Sequence, residues 1–366
     1  MNPLLQPLTL GDLTLCNRVV MAPMTRNRAA PDGVPGEAMA RYYGQRARAG
    51  LIVAEGTWPC AEGQAYCRQP GIANAEQAAG WRRVTDAVHA LGGLIVLQIM
   101  HGGRIGSRHI KPAGVATLAP SALQAAGEVW TDAAGLQAYD LPQAMSAEQV
   151  RAAIQAHGDA AARAMEAGFD GVELHGTSGY LPMQFLSSST NQRSDEWGGA
   201  AAARAGFMTA CLRAMGQAAG LGRVGLRLNP GNTYNDTADE DSAATHAQAV
   251  RQAASLGIGW LHMMRAPVPN IDAFAMAREH FAGPVIVNDG FSPETGAAAI
   301  EARTADAVSF GRHFIGNPDL VSRIREGWPL ARFDRKTLYT PGEAGYADYP
   351  PYNSAAWGGA PKPLVP

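Results

Sequence analysis

The segment SAEQVRAAIQAHGDAAARAMEAGFDGVELH, residues 146–175, contains one complete helix–strand unit. Ser146 followed by Gln149 is the pattern of a capping box, which satisfies free amides at the start of a helix. Apolar residues then recur at helical spacing as far as Gly168, a residue type common just after a helix ends. The final run, Gly171–His175, is short and mainly apolar. The segment therefore predicts a helix that leads into a buried strand.

The same alternation of helix and strand continues along the chain on both sides of this segment. The eight predicted strands lie at 19–23, 51–56, 94–100, 171–175, 224–229, 260–264, 284–288 and 307–311. Because these runs are continuously apolar, they are typical of parallel strands covered on both faces. Each is followed by a helix or by a segment long enough to hold one, which predicts an α/β fold, a (β/α)8 TIM barrel. A doubly wound open sheet is the alternative, but no predicted strand leads into its usual glycine-rich turn.

Three segments depart from this alternation of strands and helices. Residues 4–15 alternate around Gly11 and Asp12, which predicts an N-terminal hairpin that caps the bottom of the barrel. Residues 101–145 form a long excursion after the third strand, as expected of a lid or a substrate-shaping loop. Residues 341–366 are rich in Tyr, Pro and Gly and are expected to form an irregular C-terminal strap. The remainder, 1–340, is expected to be a single barrel domain.

Composition excludes several classes of function. The net charge of −2 argues against a nucleic-acid partner. Neither an uninterrupted apolar run of about eighteen residues nor a signal-peptide pattern occurs, so we expect no membrane partner. The four cysteines form no Cys-x-x-Cys pair, which fits a cytoplasmic location and argues against zinc ribbons and most iron–sulfur clusters. The three lysines lie outside the apolar runs, which argues against Schiff-base chemistry.

Polar residues at the strand ends give the first indication of chemistry, since these positions face the active-site mouth of a barrel. Arg312 follows Gly311 after the last strand, the usual place for a phosphate group. Gln98 and Arg227 end other strands and are suited to hydrogen-bond a planar heterocycle. We find no cluster with metal-ligand spacing and no Gly-x-Ser-x-Gly elbow for a serine nucleophile.

His175 and Tyr180 lie five residues apart at the end of the fourth strand. A histidine there can donate a hydrogen bond to a carbonyl oxygen, and a tyrosine can supply a phenolic proton. A phosphate anchor, a flavin-like ring and a proton donor together indicate a reductase.

Seven blocks that occur in order along the chain resemble the old yellow enzyme family of FMN-dependent ene-reductases. These are NRVVMAPMTRNRA (17–29), EGTW (55–58), QIMHGGR (98–104), FDGVELHGTSGYLPMQFL (169–186), NQRSDEWGG (191–199), GLRLNP (225–230) and GRHFIGNPDL (311–320). The resemblance extends from about residue 4 to about residue 352. It implies a TIM barrel with tightly bound, non-covalent FMN that is reduced by NADPH or NADH. The reduced flavin would then pass hydride from N5 to an activated alkene, such as an enone, enal, maleimide or nitroalkene, in a ping-pong scheme.

The resemblance also implies which residues contact FMN. Thr25 would hydrogen-bond the ring near O4 and tune its reduction potential, while Arg227 would stabilise negative charge at N1 and O2 of the reduced ring. The implied cofactor-binding residues are Pro23, Met24, Thr25, Gly56, Gln98, Arg227, Asp289, Gly290, Ser309, Gly311 and Arg312. The last five would form the phosphate cradle.

On the substrate side, the resemblance implies a binding and protonation site built from the fourth strand. His175 would bind the carbonyl or nitro oxygen of the substrate, and Tyr180 would protonate its α-carbon. Tyr66 and Tyr339 would line the substrate channel, with Met100 in its wall.

Two positions depart from the family pattern. Ser178 stands where the family usually has His or Asn, so one hydrogen bond to the substrate oxygen is expected to be weaker by roughly 1–3 kcal/mol. Asp289 stands where glycine is common, so its side chain is expected to turn away from the phosphate. Two alternatives therefore remain open, a nitrate-ester or nitroaromatic reductase and a flavin-binding protein with little turnover. The sequence does not decide between a monomer and a homo-oligomer, and it does not name the physiological substrate.

Overall fold

The computed structural model of the chain describes residues 2–352. Its strands are β1 (Leu8–Leu10), β2 (Leu13–Leu15), β3 (Val19–Met21), β4 (Leu51–Thr57), β5 (Ile95–Ile99), β6 (Leu118–Ala119), β7 (Glu128–Thr131), β8 (Gly135–Ala138), β9 (Gln143–Ala144), β10 (Gly171–His175), β11 (Val224–Leu228), β12 (Trp260–Met264), β13 (Val285–Asn288) and β14 (Ala307–Phe310). Its α-helices are α1 (Glu37–Gly44), α2 (Ala75–His89), α3 (Ala147–Glu166), α4 (Leu181–Leu186), α5 (Ala201–Arg204), α6 (Gly206–Ala219), α7 (Ser242–Leu256), α8 (Ala273–His280), α9 (Pro293–Glu301), α10 (Arg312–Gly316) and α11 (Leu320–Glu326).

Eight of these strands close into a parallel barrel in the order β10, β11, β12, β13, β14, β3, β4, β5. The predicted (β/α)8 fold is therefore confirmed, and the open sheet is excluded. Each barrel strand ends within two residues of its predicted end. The largest difference is at β3, which stops at Met21 before Pro23, a residue with no amide to donate to a neighbouring strand.

The helix predicted from the capping box forms as α3. The Ser146 side chain accepts from the Gln149 amide, and the Gln149 side chain accepts from the Ser146 amide. The helix ends before Gly168, whose φ of +88° reverses the chain at low steric cost because it has no Cβ. This reversal leads directly into β10, the strand that carries His175.

The predicted N-terminal hairpin closes the bottom of the barrel. β1 and β2 pair antiparallel, and Leu10, Leu13 and Leu15 pack against buried residues of the barrel interior, including Trp260. The turn between the strands needs Gly11, because a Cβ there would lie 2.1 Å from the carbonyl oxygen of residue 222. The opposite end of the barrel is thus left as the place for a site.

The excursion at 101–145 is more regular than the sequence indicated. It contains a parallel pair, β6 with β9, and an antiparallel hairpin of β7 and β8. An ion pair between Arg68 and Asp132 ties this hairpin to the loop after β4. The excursion therefore covers the loop that carries Tyr66.

The C-terminal segment is held by the loop after β3. The Arg26 guanidinium donates to the carbonyl oxygens of Leu338 and Gly345 at 3.0 and 2.8 Å. Tyr346 is buried and stacks on Tyr42 at 4.1 Å between ring centroids. The rest of the predicted strap, residues 353–366, lies outside the described residues.

Neither a membrane-spanning helix nor a metal-binding cluster occurs among residues 2–352. No helix there combines the length and the apolar character needed to cross a membrane. Within the same range, no group of three or more His, Cys, Asp and Glu side chains is arranged to hold a metal ion.

Candidate active site

A buried layer of polar side chains lies inside the upper barrel. Glu173 is its central acceptor, since its carboxylate takes hydrogen bonds from Gln98 Nε2 at 2.9 Å, His262 Nδ1 at 2.8 Å and Trp260 Nε1 at 3.3 Å. Burial opposes the charge of Glu173, but His262, Arg227 and Gln98 outweigh it and lower its pKa to about 2. Glu173 is therefore ionised at neutral pH.

The protonation of His262 follows from its partners. A carboxylate only accepts, so the proton is on Nδ1, which faces Glu173. Nε2 is then an acceptor, and its one lone pair takes the Ser309 hydroxyl at 2.7 Å. Arg227 Nη1 lies 2.5 Å from Nε2 and 3.1 Å from Nδ1, so close to both ring nitrogens that it rests on the face of the imidazole. Burial, followed by Arg227, lowers the pKa of His262 to about 4, so the ring is neutral.

Arg227 is fixed at both ends of its guanidinium. Nη1 rests on the face of the His262 ring and Nη2 donates to Asn288 Oδ1 at 2.7 Å, while Asn288 Nδ2 donates to the Ser309 carbonyl at 2.9 Å. Burial lowers the pKa of Arg227 to about 10, so it stays charged at neutral pH. Within the described structure these contacts use one of the five guanidinium N–H donors.

These residues fit a flavin. The Oε1 atom of Gln98 has no hydrogen-bond partner among the described residues, although the side chain is buried. Gln98 thus offers an acceptor, and Arg227 offers a cation with unused donors. The pyrimidine side of an isoalloxazine ring needs both, an acceptor for its N–H and donors for N1 and O2.

The other predicted cofactor residues border the same mouth. Gly56, in β4, is in close contact with Met100, because a Cβ on Gly56 would lie 2.6 Å from the Met100 sulfur. A Cβ on Gly311 would lie 3.4 Å from the sulfur of Met24. Pro23, Met24 and Thr25 are half-buried in the segment after β3.

The predicted phosphate cradle lies after β13 and β14. Asp289 and Gly290 both have left-handed backbones, with φ of +79° and +75°, a conformation that suits glycine best. The Asp289 carboxylate is exposed and lies 3.9 Å from the exposed guanidinium of Arg312. The Asp289 side chain is therefore turned to the surface and towards a cation.

The substrate-side residues form an aromatic cluster. The Tyr180 and Tyr66 hydroxyl oxygens are 2.7 Å apart, and the His175 and Tyr180 rings are 5.1 Å apart between centroids. Burial raises the pKa of Tyr180, so it is a neutral phenol with a proton to donate. Burial, followed by Arg227, lowers the pKa of His175 to about 3. Its Nδ1 is buried and has no partner among the described residues.

Ser178 has an unusual backbone for its residue type. Its φ is +58°, in the left-handed region, where Asn, Asp and His are several-fold enriched among the non-glycine residues. Its Oγ lies 3.5 Å from Thr177 Oγ1, and its carbonyl accepts from Asn235 Nδ2 at 2.9 Å. Asn235 links the loop after β11 to this turn.

The structure brings together most, but not all, of the predicted side chains. Met100 is buried in one cluster with Tyr180. Tyr339 is 64% exposed and makes no ring contact with Tyr66 or Tyr180. The sequence analysis missed Glu173 and His262 as members of the site. Each lies in the middle of a mainly apolar barrel strand, and a polar residue at such a position is the sequence feature that could have identified it.

Comparisons with known proteins agree with this geometry. Residues 3–331 match the model of the NADH:flavin oxidoreductase / NADH oxidase family. A probable flavin mononucleotide-dependent alkene reductase of Leishmania infantum is 42% identical over 353 residues, covering 95% of this chain and 97% of the relative. 12-oxophytodienoate reductase 7 of Oryza sativa subsp. japonica is 36% identical over 372 residues, covering 95% and 94%.

Solved structures give the same result. Morphinone reductase in complex with tetrahydroNAD superposes with a TM-score of 0.92 at 39% identity, covering 96% of this chain and 98% of the other. The old yellow enzyme homologue from Zymomonas mobilis also gives 0.92, at 37% identity, with 95% and 99% covered. This chain belongs to the NADH:flavin oxidoreductase / NADH oxidase family, and it is an FMN-dependent oxidoreductase of the old yellow enzyme type.

Proposed function

We propose that this enzyme reduces activated C=C bonds of enones, enals, maleimides or nitroalkenes with NADPH or NADH in a ping-pong reaction. One observation carries the proposal. A buried, neutral phenol, Tyr180, lies beside a neutral imidazole, His175, at the end of the strand that also carries Glu173 of the polar layer. A carbonyl ligand and a proton donor are what the reduction of a polarised alkene needs from the protein.

Bound FMN supplies a hydride from N5 once a nicotinamide has reduced it. Arg227 and Gln98 would hold the pyrimidine side of the ring, with Thr25 near O4. The turn at Asp289 and Gly290, with Arg312, would hold the phosphate. The unused donors of Arg227 and the free acceptor of Gln98 support this placement. The tetrahydroNAD bound to morphinone reductase supports a nicotinamide as the reductant.

The protein's own part in the alkene step is to bind an oxygen and to move a proton. The His175 ring has one N–H because it is neutral, and it would donate to the substrate oxygen together with Ser178 Oγ. Tyr180 would give its phenolic proton to the α-carbon. Tyr66 would donate to the Tyr180 oxygen and stabilise the negative charge that forms there.

We also propose that residues 1–340 are the FMN-binding domain and that 341–366 are a strap. The contact of Arg26 with Gly345 supports this assignment of the strap, since it fixes the start of the strap beside the loop that carries Thr25. The four cysteines are free thiols, which supports a cytoplasmic setting.

Ser178 supports a second candidate, reduction of nitrate esters or nitroaromatics on the same flavin. Its hydroxyl is shorter than the amide or imidazole usual in the family, so the substrate oxygen would be held less firmly. An anaerobic absorption experiment separates the candidates. We expect NADPH to bleach the flavin bands and cyclohexenone to restore them. Bands restored only by a nitro compound would favour the second candidate, and bands restored by neither would favour a binding protein with little turnover.

We expect Ser178→Asn to raise kcat/KM for cyclohexenone by roughly 5- to 100-fold, which corresponds to about 1–3 kcal/mol for the added amide hydrogen bond. The change should not lower the melting temperature, because Asn tolerates the left-handed backbone at this position better than Ser. Steady-state kinetics with NADPH in excess measures the gain. Ser178→Ala is the matched control, and equal kcat/KM values for the Asn and Ala variants would contradict the prediction.

We expect Tyr66→Phe to slow reoxidation of the flavin by cyclohexenone by roughly 5- to 100-fold and to leave the NADPH reaction unchanged. The change removes the 2.7 Å hydrogen bond to Tyr180 and with it roughly 1–3 kcal/mol of stabilisation of the forming phenolate. Anaerobic stopped-flow absorption measures each half-reaction separately. Tyr139→Phe, a change in the same buried cluster, is the control. Equal reoxidation rates for the two variants would refute the role given to Tyr66.

A further inference from the structure

We propose that His262 is a positioning residue for Arg227, oriented by Glu173 so that the open donors of the guanidinium stay at the barrel mouth. The inference rests on the proposed placement of FMN above Arg227.

Glu173 determines which nitrogen of the His262 ring carries the proton. Glu173 accepts the Nδ1 proton at 2.8 Å, which leaves the Nε2 lone pair on the opposite side of the ring. That lone pair accepts from Ser309 Oγ at 2.7 Å. Arg227 Nη1 lies 2.5 Å from Nε2 and 3.1 Å from Nδ1, so close to both ring nitrogens that it rests on the face of the imidazole. Glu173 and Ser309 therefore fix the plane of the ring, and the guanidinium packs against that plane.

The contacts among His262, Ser309, Asn288 and Arg227 form a closed circuit. Ser309 Oγ donates to His262 Nε2 at 2.7 Å, and the Ser309 carbonyl accepts from Asn288 Nδ2 at 2.9 Å. Asn288 Oδ1 in turn accepts from Arg227 Nη2 at 2.7 Å. His262, Arg227, Asn288 and Ser309 come from four adjacent barrel strands, and each is at most 7% exposed. A guanidinium held at two nitrogens in this circuit is not free to rotate.

His262 also keeps the Arg227 guanidinium away from the Glu173 carboxylate. Glu173 and Arg227 carry opposite charges in a buried layer, and their attraction is strong there because little water screens it. The imidazole bonds Glu173 with Nδ1 and packs its face against Arg227, so it keeps the two charged groups apart. Without it, the guanidinium is free to turn down onto the carboxylate, which removes its donors from the mouth. Reduced FMN carries more negative charge than oxidised FMN, so it loses more stabilisation from that movement.

The test is the midpoint potential of bound FMN, measured by anaerobic redox titration of the holoenzyme. His262→Asn keeps an amide near Nδ1 for Glu173 but removes most of the ring face on which Arg227 rests. His262→Gln is long enough to fill most of that space and keeps an amide near Nε2 for Ser309, but it loses the bond to Glu173. We expect a potential lower than that of the unmodified enzyme by at least 30 mV for His262→Asn, and a smaller decrease for His262→Gln. A decrease of 30 mV corresponds to tenfold weaker binding of reduced relative to oxidised FMN.

His246→Gln is the matched control, because His246 is equally buried but bonds only its own helix, α7, through Nδ1 to the Ser242 carbonyl and hydroxyl. Potentials of both His262 variants equal to that of His246→Gln, with FMN still bound, would overturn the inference. If His262→Asn does not fold, the potential of His262→Gln decides alone. If the His262 variants lose alkene turnover but keep an unchanged flavin potential, the inference is wrong. If their potential is lowered but the unmodified enzyme reduces no alkene, only the proposed function is wrong.

Discussion

We expect Tyr180→Phe to slow flavin reoxidation by cyclohexenone by about 10²- to 10⁴-fold, the usual contribution of a positioned general acid. The change removes only the hydroxyl, so the ring can keep its 5.1 Å contact with His175. The reaction of NADPH with the flavin transfers no proton to a substrate carbon, so its rate should not change. Anaerobic stopped-flow absorption, with each half-reaction measured separately, tests both statements.

A nitro compound provides an internal control for Tyr180→Phe. Reduction of a nitro group or nitrate ester does not need protonation of carbon by this phenol, so we expect the variant to keep most of that activity. An equal loss with the enone and the nitro compound would indicate damage to the flavin site. Unchanged reoxidation by the enone would show that another group, such as water, supplies the proton.

The barrel could be predicted because its strands are buried on both faces. Runs such as 19–23 are apolar throughout, and the chain returns to a mainly apolar run eight times, which few folds other than a barrel accommodate. The ends of these strands then placed Gln98, His175 and Arg227 at one mouth. That step follows from strand direction alone, because parallel strands end on the same side.

The pairings within the site could not be predicted in the same way. Glu173 meets His262 because β10 and β12 flank β11 and both side chains lie inside the barrel. Sequence separation gives no sign of that contact, which spans 89 residues. The hairpin of β7 and β8 was missed for another reason: each strand is only four residues long, and the turn at 132–134 lacks a strong turn signal.

The buried histidines predict a strong sensitivity to acid. Burial is the main cause that lowers the pKa of His157 and His262 to about 4 and that of His175 to about 3. In the unfolded chain each would take up a proton near pH ~6.5. The stability that they contribute is therefore complete above that pH and is lost as the pH falls towards their native pKa values.

Glu55 has the opposite effect on the pH dependence of stability. Burial raises its pKa to about 7, so between pH ~7 and pH ~4.5 the native state holds a proton that the unfolded chain has released. His101 and His246 are also buried, and burial lowers their pKa as well. Five histidines against one carboxyl leave a net uptake on unfolding of up to about four protons. We therefore expect the free energy of unfolding to fall by up to roughly 5 kcal/mol per pH unit between pH ~6.5 and pH ~4.5. Urea unfolding at several pH values in this range measures the slope.

His157→Gln tests the origin of this slope without touching the flavin site. His157 is fully buried in α3, where Nδ1 bonds the Ala153 carbonyl and Nε2 has no partner among the described residues. Removing one of the five histidines should reduce the net uptake by about one proton and the slope by about a quarter. A slope unchanged in His157→Gln would show that this histidine is already protonated in the native state. A free energy of unfolding that stays constant between pH ~6.5 and pH ~4.5 in the unmodified protein would contradict the neutral imidazoles on which the assignments of His175 and His262 depend.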